Sequence, residues 1–438
     1  MSSTFKNDSK KKLYSISNLI RERKRHEIVL IVFALTMLTN LIFVFLVFYF
    51  SEPNTGTTEY QEIARNIAQG NGFVLKEGGE PILWRPPLYI YILSFFYHFS
   101  DIPYCAIVAF QIVLNAMTGV VVFLIGERVL NRSVGFFSAV LLSIYPLFVY
   151  NCLRLMPEAL FAFLISIIVL LTLDFLKGTN WKLSILLGLF LGLASLSRAA
   201  IQFYPIILFF VTVFFLKKRE KLYGQIRNLS ILAVIMLATI LPWTIRNYVV
   251  SKEFIFLDTS GGYTFWIGNR IATDGYDDDP LTEEEFIDVE KDLARILELK
   301  YTPSFDVSTT AWASGANSSK LYLEGIKNII KSPSGTLLLW FKKLYRLWFS
   351  YIGEKSKLQF IIFFIQIPLL VAAVFGIYLS FRDGRSIFPL ILMITYFSVI
   401  HMAATANVRH SVAIIPYVII LAVYVVDNLK RRFLVKRC

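Results

Sequence analysis

Six arginines and two glutamates hold most of the chemistry this sequence can offer. Arg85, Arg154, Arg198, Arg246, Arg270 and Arg409 stand far apart along the chain, yet each lies at the end of an apolar stretch or in a segment joining two of them. A guanidinium presents its N–H donors as a planar fork that grips a phosphate through two bonds at once. Any one of these arginines can instead stretch its head to the lipid headgroups. As a set, beside Pro, Gly and acidic residues, they point to a shared anionic ligand. An arginine facing lipid costs about 2.5–3.5 kcal/mol and normally turns toward a cavity or a partner. Glu59 and Glu158 supply the complement, because a carboxylate beside such a site can take the proton of an attacking hydroxyl. Tyr60 and Tyr89 flank these groups as supporting side chains, and His410 joins Arg409 on the phosphate side.

Something must bring these groups to one face, and composition says what. The chain has 438 residues, 56% hydrophobic and only 17% charged, against about 25% charged and 45–50% apolar in a soluble domain. Beyond roughly 250–300 residues a soluble chain splits into domains instead of becoming more apolar, so lipid is the sink. The net charge of +13 does not signal nucleic acid, which needs the basic residues gathered on one soluble face. Here they sit in short runs between apolar stretches. Cys105, Cys152 and Cys438 form neither an even disulfide framework nor a paired metal-ligand spacing.

Apolar runs near 28–50, 105–125, 134–151, 158–176, 182–197, 200–216, 229–245, 358–380, 387–403 and 411–427 predict about ten transmembrane helices. Each is long enough, or nearly so, to cross about 30 Å of hydrocarbon at 1.5 Å per residue. The first exceeds a signal-peptide core and lacks a small-residue cleavage site, so it reads as a permanent span. Only Ser197, Arg198 and Ala199 separate the fifth and sixth, which predicts a tight hairpin. Ten spans put both termini on one side. Loops on that side carry Arg128 and Arg132; Lys177 and Lys182; Lys217, Lys218, Arg219, Lys221 and Arg227; Arg382 and Arg385; and Lys430, Arg431, Arg432, Lys436 and Arg437. That is the excess expected of cytoplasmic loops. The expectation is an all-α polytopic protein of the cell membrane with both termini cytoplasmic. A basic tail occupies 1–27 and a membrane domain 28–438, with outer loops at 51–104 and 246–357.

Within the first outer loop, Tyr60, Ile63, Ala64 and Ile67 recur at i, i+3, i+4 and i+7, the stripe of a short amphipathic helix. Thr57 or Thr58 can cap it, and Gly70 ends it. Too short and polar to span, it should lie along the membrane with its apolar face down. Pro86 and Pro87 then interrupt regular helix and hold Arg85 at the surface. In the second loop, residues 274–290 are strongly acidic and read as a solvated segment, with a cation site as the alternative. Trp340, Trp348 and Tyr351 suggest an in-plane or re-entrant element near 335–352. No ligand spacing calls for a metal, and a divalent metal stays open as cofactor.

Phosphate held at the outer surface above apolar walls suits a lipid-linked phosphate. Sugar transfer from a polyprenyl phosphate needs little beyond positioning, a base and cationic stabilisation of the departing oxygen. A transporter or flippase of lipid-linked sugars is the alternative, although ionisable residues are scarce at mid-span.

Taken in order, Glu59-Tyr60, Ile63-Ala64-Arg65-Asn66, Gly70-Asn71-Gly72-Phe73, Arg85-Pro86-Pro87-Leu88-Tyr89, Pro157-Glu158-Ala159-Leu160-Phe161, the run from Leu191 to Arg198, Pro242-Trp243-Thr244-Ile245-Arg246-Asn247-Tyr248 and Arg409 with Pro416 resemble the bacterial and archaeal glycosyltransferases of the C-type membrane fold. The similarity is strongest to the group of protein O-mannosyltransferases and the lipid A aminoarabinose transferase, and it runs from about residue 56 to 420. The resemblance implies a polyprenyl-phosphate-linked sugar donor, an inverting transfer to a protein, glycan or lipid acceptor, and an active site between the first outer loop and the membrane. It implies that Arg85 touches donor phosphate; the placement of the other cations at the ends of apolar runs adds Arg198, Arg246, Arg409 and His410 as further phosphate ligands, with Arg154 in support. The resemblance makes Glu158 the second acidic position of the family. Relatives place an Asp a few residues before the tyrosine matching Tyr60, whereas this chain has Gly56, Thr57 and Thr58 there. Glu59 or Glu52 stands in for it, or Glu158 works alone.

The charge pattern makes a checkable statement about sidedness. An epitope inserted between Lys177 and Lys182 should bind antibody only after the cells are permeabilised; labelling of intact cells would reverse the topology.

Overall fold

A computed structural model describes residues 19–20, 22–50, 58–178, 180–215, 219–275, 282–301, 314–349 and 357–435. Among them the sole β element is an isolated antiparallel bridge between Val74 and Pro81. Everything else regular is helix, as lipid demands: without water, backbone groups must be satisfied within their own segment. In chain order the helices are α1 (Arg25–Phe50), α2 (Thr58–Ala68), α3 (Leu88–Tyr97), α4 (Tyr104–Val129), α5 (Arg132–Ser143), α6 (Pro146–Tyr150), α7 (Glu158–Phe175), α8 (Trp181–Ser197) and α9 (Tyr204–Phe215). Then follow α10 (Arg219–Ser251), α11 (Ser260–Gly268), α12 (Glu283–Leu297), α13 (Gly315–Lys331), α14 (Pro333–Phe349), α15 (Lys357–Arg382), α16 (Phe388–Ala403) and α17 (Ile415–Val435).

Each of the ten predicted spans contains helix, but they are unequal. Five described helices are long and apolar enough to cross a membrane: Arg25–Phe50, Tyr104–Val129, Glu158–Phe175, Tyr223–Ser251 and Phe363–Arg382. Arg132–Ser143, Trp181–Ser197 and Phe388–Ala403 are apolar but shorter. The third predicted span breaks in two because Pro146 stops α5 short and opens α6. The last predicted span starts late: Val408–Ala413 is a 3-10 turn, and α17 begins at Ile415. The predicted hairpin does not form either. A short 3-10 turn at Ala199–Ile201 redirects the chain, α9 packs on α10, and α8 takes α10 as its long neighbour.

Contacts between these helices are made by small and polar residues, as expected where lipid is as apolar as leucine. The buried Asn115 amide donates to Asn40 at 2.9 Å, tying α4 to α1. Along α15 a Cβ at Gly376 would run into the Leu421 carbonyl oxygen of α17.

The outer segments depart most from expectation. Helix α2 forms where its stripe predicts it, and Gly70, at φ +86°, ends it. Its apolar face, however, is not turned to lipid. Tyr60, Ile63 and Ala64 pack in one cluster with Ile82, Tyr89, Ile90 and Leu93, because α3, unforeseen within the first outer loop, supplies a protein surface instead. In the second segment the described acidic run from Glu283 starts exposed as expected, but it is helix instead of loop. Helices α11, α12 and α13 enclose their own core of Tyr263, Trp266, Ile267, Val289, Leu293 and Leu321. The acidic run from Glu283 opens α12 through a Thr282–Glu285 capping box, where negative charge favours the helix dipole. Helix α14 covers the described part of the stretch read as an in-plane or re-entrant element; it buries Leu339, Lys343, Arg346, Leu347 and Trp348 while Leu337, Leu338, Phe341 and Tyr345 stay exposed. Glu52, Thr57, Asp277, Asp278, Asp279, Tyr351 and Cys438 lie outside the described residues.

Replacing Gly376 with Val should force α15 and α17 apart and lower the unfolding free energy by about 1–3 kcal/mol. Gly178, with open space around it, serves as control. Thermal unfolding in detergent reads both, and an unshifted midpoint for G376V would contradict the packing.

Candidate active site

Glu158 is the first residue of α7 and is almost wholly buried. Its Oε1 accepts from Arg198 Nη1 at 3.1 Å. Arg198 reaches it because α8 ends at Ser197 and the next residue is extended, swinging the guanidinium 5.8 Å over the Phe161 ring of α7. Phe161 meets Phe397 of α16 edge-on at 5.7 Å, and Phe397 stacks on His401 at 6.1 Å. His401 in turn stacks on His410 with ring centroids 4.3 Å apart. Asn407 organises the turn that carries His410: its Oδ1 accepts the Arg409 amide at 2.9 Å, while His410 Nδ1 accepts the Asn407 amide at 3.4 Å. Burial first, then His401, Arg198 and Arg409, holds His410 well below the usual histidine range. Its imidazole is therefore neutral, with Nε2–H left to donate.

Three atoms in this region are buried with no hydrogen-bond partner among the described residues: Glu158 Oε2, Arg154 Nε and Arg409 Nε. Leaving a buried polar atom unmatched costs about 1–3 kcal/mol, more when it belongs to a charged group. Atoms of this kind suit a ligand that carries both acceptors and donors.

A second group faces the first. Glu59 of α2 accepts from Trp84 Nε1 at 2.5 Å and from Arg85 Nε and Nη2 at 3.0 and 2.6 Å. The Arg85 guanidinium also lies 5.2 Å over the Tyr60 ring. Tyr60 meets Tyr89 edge-on at 6.0 Å, and the Tyr89 hydroxyl donates to Gln111 at 3.2 Å. The Gln111 amide donates on to the Cys152 and Arg154 carbonyls, each at 3.0 Å. Burial, then the Glu158 carboxylate and Tyr60, pushes the Tyr89 hydroxyl well above its normal range, so it stays protonated between the two groups. Contacts thus run from Glu59 and Arg85 through Tyr60 and Tyr89 to Gln111, and the Glu158–Arg198 pair lies near enough for its carboxylate to act on the Tyr89 hydroxyl.

Arg85 reaches Glu59 because its segment is pinned on both sides. Arg246 Nη1 donates to the Ile82 carbonyl at 2.8 Å, and the Thr259 amide donates to the Leu83 carbonyl at 3.0 Å. Beside it stands Asp258, whose Oδ1 accepts the Ser260 amide at 3.0 Å and hydroxyl at 2.6 Å. Burial raises this carboxyl against the pull of Ser260 and of Arg85.

The predicted residues therefore divide. Arg198, Arg409, His410 and Glu158 gather around the two histidine rings, and Arg154 stands in the turn before Glu158 with its carbonyl held by Gln111. Arg85 lies on the carboxylate side, its fork taken up by Glu59, with Tyr60 and Tyr89 linking the two halves. Arg246 stacks 4.6 Å over Trp243 and 5.2 Å over Phe73 while holding Ile82, so it braces the loop. Arg270 pairs with Asp292 at 2.9 Å in the outer helical unit. His401 and Asp258 belong to the site but escaped the sequence reading. The available signal for His401 was a histidine inside an apolar run; Asp258 had none stronger than a turn before two glycines. Among the described residues no three His, Cys, Asp or Glu side chains are grouped to hold a metal ion.

With this geometry in hand, residues 84–245 match the family model described as dolichyl-phosphate-mannose-protein mannosyltransferase. The archaeal oligosaccharyltransferase AglB from Archaeoglobus fulgidus, solved with an inhibitory peptide and a dolichol-phosphate, is similar over 95% of this chain at 13% identity, with a TM-score of 0.50. This chain spans about half of AglB, covering 52% of it. ArnT from Cupriavidus metallidurans, in the apo state, is 13% identical over 84% of this chain and 72% of its own, with a TM-score of 0.36. No curated protein matches the chain. The chain shares its fold with AglB.

Removing Arg198 would strand Glu158 as an uncompensated buried charge, a change that costs about 3–5 kcal/mol. Arg198→Ala should lower the thermal midpoint strongly, and adding Glu158→Gln should restore part of it. Equal midpoints for wild type and R198A would show that the pair holds nothing together.

Proposed function

We propose that this protein is a membrane glycosyltransferase, which moves a sugar from a polyprenyl-phosphate donor to an acceptor hydroxyl at the non-cytoplasmic face. The observation that carries the reading is the set of orphaned buried atoms on Arg154, Arg409 and Glu158 beside Arg198 and His410. The family match contains Arg85, Arg154, Glu158 and Arg198, and the dolichol-phosphate bound to AglB is a ligand of the same chemistry.

In this reading the donor phosphate lies against Arg198 and Arg409, with His410 Nε2–H as a neutral donor. Glu158 orients Arg198 through Oε1 and accepts a sugar hydroxyl on Oε2. The acceptor enters from the opposite side, along Glu59, Arg85 and Asp258. Its O–H proton passes to Glu59, its oxygen bonds to the anomeric carbon, and the bond from that carbon to phosphate oxygen breaks. The polyprenyl phosphate leaves with the electron pair, held by the two guanidinium groups. Attack opposite the leaving group inverts the anomeric centre. Arg85 serves here to orient Glu59, in place of the phosphate contact that the resemblance implies. The acceptor is a protein, a glycan or another lipid.

Purified protein given labelled polyprenyl-phosphate sugar should release free polyprenyl phosphate; none released with any acceptor class would end the transferase reading. Glu59→Gln should lower kcat by about 10²–10⁴, whereas Arg409→Ala should act mainly on donor KM. Full turnover in E59Q would move the base elsewhere.

A further inference from the structure

Lys343 of α14 is fully buried, and its ammonium bonds to carbonyls alone. Nζ donates to the carbonyl of Gly268, the last residue of α11, at 2.7 Å, and to that of Ala404, the first residue past α16, at 2.8 Å. Next to it the Asn269 amide donates to the Ala403 carbonyl at 2.7 Å, while its oxygen accepts the Trp340 indole N–H at 3.0 Å. The last carbonyls of a helix have no partner within it and carry the negative end of its dipole. Here an ammonium and an amide from the outer helical unit serve them. The approach is close enough that a Cβ on Gly268 would strike the Ala404 carbonyl.

From Ala404 the chain runs through Thr405, whose carbonyl is bonded by His401 Nδ1 at 3.1 Å, to Asn407, which sets the turn holding Arg409 and His410. The 403–410 connection is thus clamped at one end by the outer unit and aimed at the anion site by the other.

We propose that Lys343 is a positioning residue, which latches the outer helices α11 and α14 onto the connection that places Arg409 and His410. The inference rests on the donor-phosphate reading of those two residues. Burial, then the neighbouring Arg346, draws the Lys343 ammonium down to about 7. The charged groups facing it are accounted for elsewhere. On α14, Lys342 and Arg346 pair with Asp274 at 2.8 and 3.8 Å; Arg270 pairs with Asp292. Lys331 is on α13, and His401, Arg409 and His410 lie across the contact with α16 and the 408–413 turn. As pH rises through 7 the ammonium loses the charge that faces the two carbonyls, so the latch weakens toward alkaline pH.

The test is donor KM, measured with labelled polyprenyl-phosphate sugar from pH 6 to 8.5. Lys343→Met should raise donor KM about tenfold at pH 6.5 and leave acceptor KM unchanged. Wild-type donor KM should climb with pH toward the K343M value, while that of K343M stays flat. A folded K343M with wild-type donor KM, or with the wild-type pH climb, overturns the latch. Should K343M fail to fold, Asn269→Ala and Trp340→Phe replace it, and wild-type donor KM in both is equally fatal. If the wild type shows no turnover, the transferase reading fails separately. The latch is then read from equilibrium binding of polyprenyl phosphate alone, which K343M must weaken.

Discussion

Hydrocarbon solvates neither peptide groups nor charge, and that single restriction shapes both halves of this molecule. Peptide groups respond by becoming helices wherever the chain is apolar. Charged side chains respond by leaving the interior for its two rims, where they meet one another. At the outer rim the meeting is between Glu158 and Arg198, a carboxylate almost wholly buried at the start of one helix and a guanidinium just past the end of the next. A pair so placed is held in geometry by the cost of separating it, and the aromatic and histidine rings of α7 and α16 build on it.

The same restriction explains why the site has two faces instead of one ring of arginines. Arginines in a low-dielectric rim must each find a partner, and four find protein partners: Arg198 takes Glu158, Arg85 takes Glu59, Arg270 takes Asp292, and Arg246 takes a carbonyl and two aromatic faces. Buried donors left unmatched on Arg154 and Arg409 set these two apart from the four arginines that the protein itself satisfies.

The outer helical unit has its own small core and yet is not independent of the site. Its bonds from Lys343 and Asn269 fall on the exposed carbonyls at the end of α16, a few residues before Arg409. A change in the outer unit therefore reaches the 408–413 turn and Arg409 through main chain.

The sequence by itself determined the material: helices, because long apolar runs leave no other way to satisfy a backbone in lipid, with lysine and arginine clustered between the runs. The stripe of Tyr60, Ile63 and Ala64 named α2 as a helix with equal clarity, since a 3.6-residue period is a local property. What covers that stripe was not local. Lipid and α3 are both apolar, so only the packed chain could show that α3 lies there. Partner choice was decided at the same level: nothing in the spacing of Arg85, Arg246 and Arg409 distinguishes a guanidinium that will meet a carboxylate from one that will not. Asp258 and His401 entered the site for the same reason. Asp258 stands near Arg85 and His401 near Arg198, each more than a hundred residues away in sequence, and proximity of that kind exists only after the helices have packed.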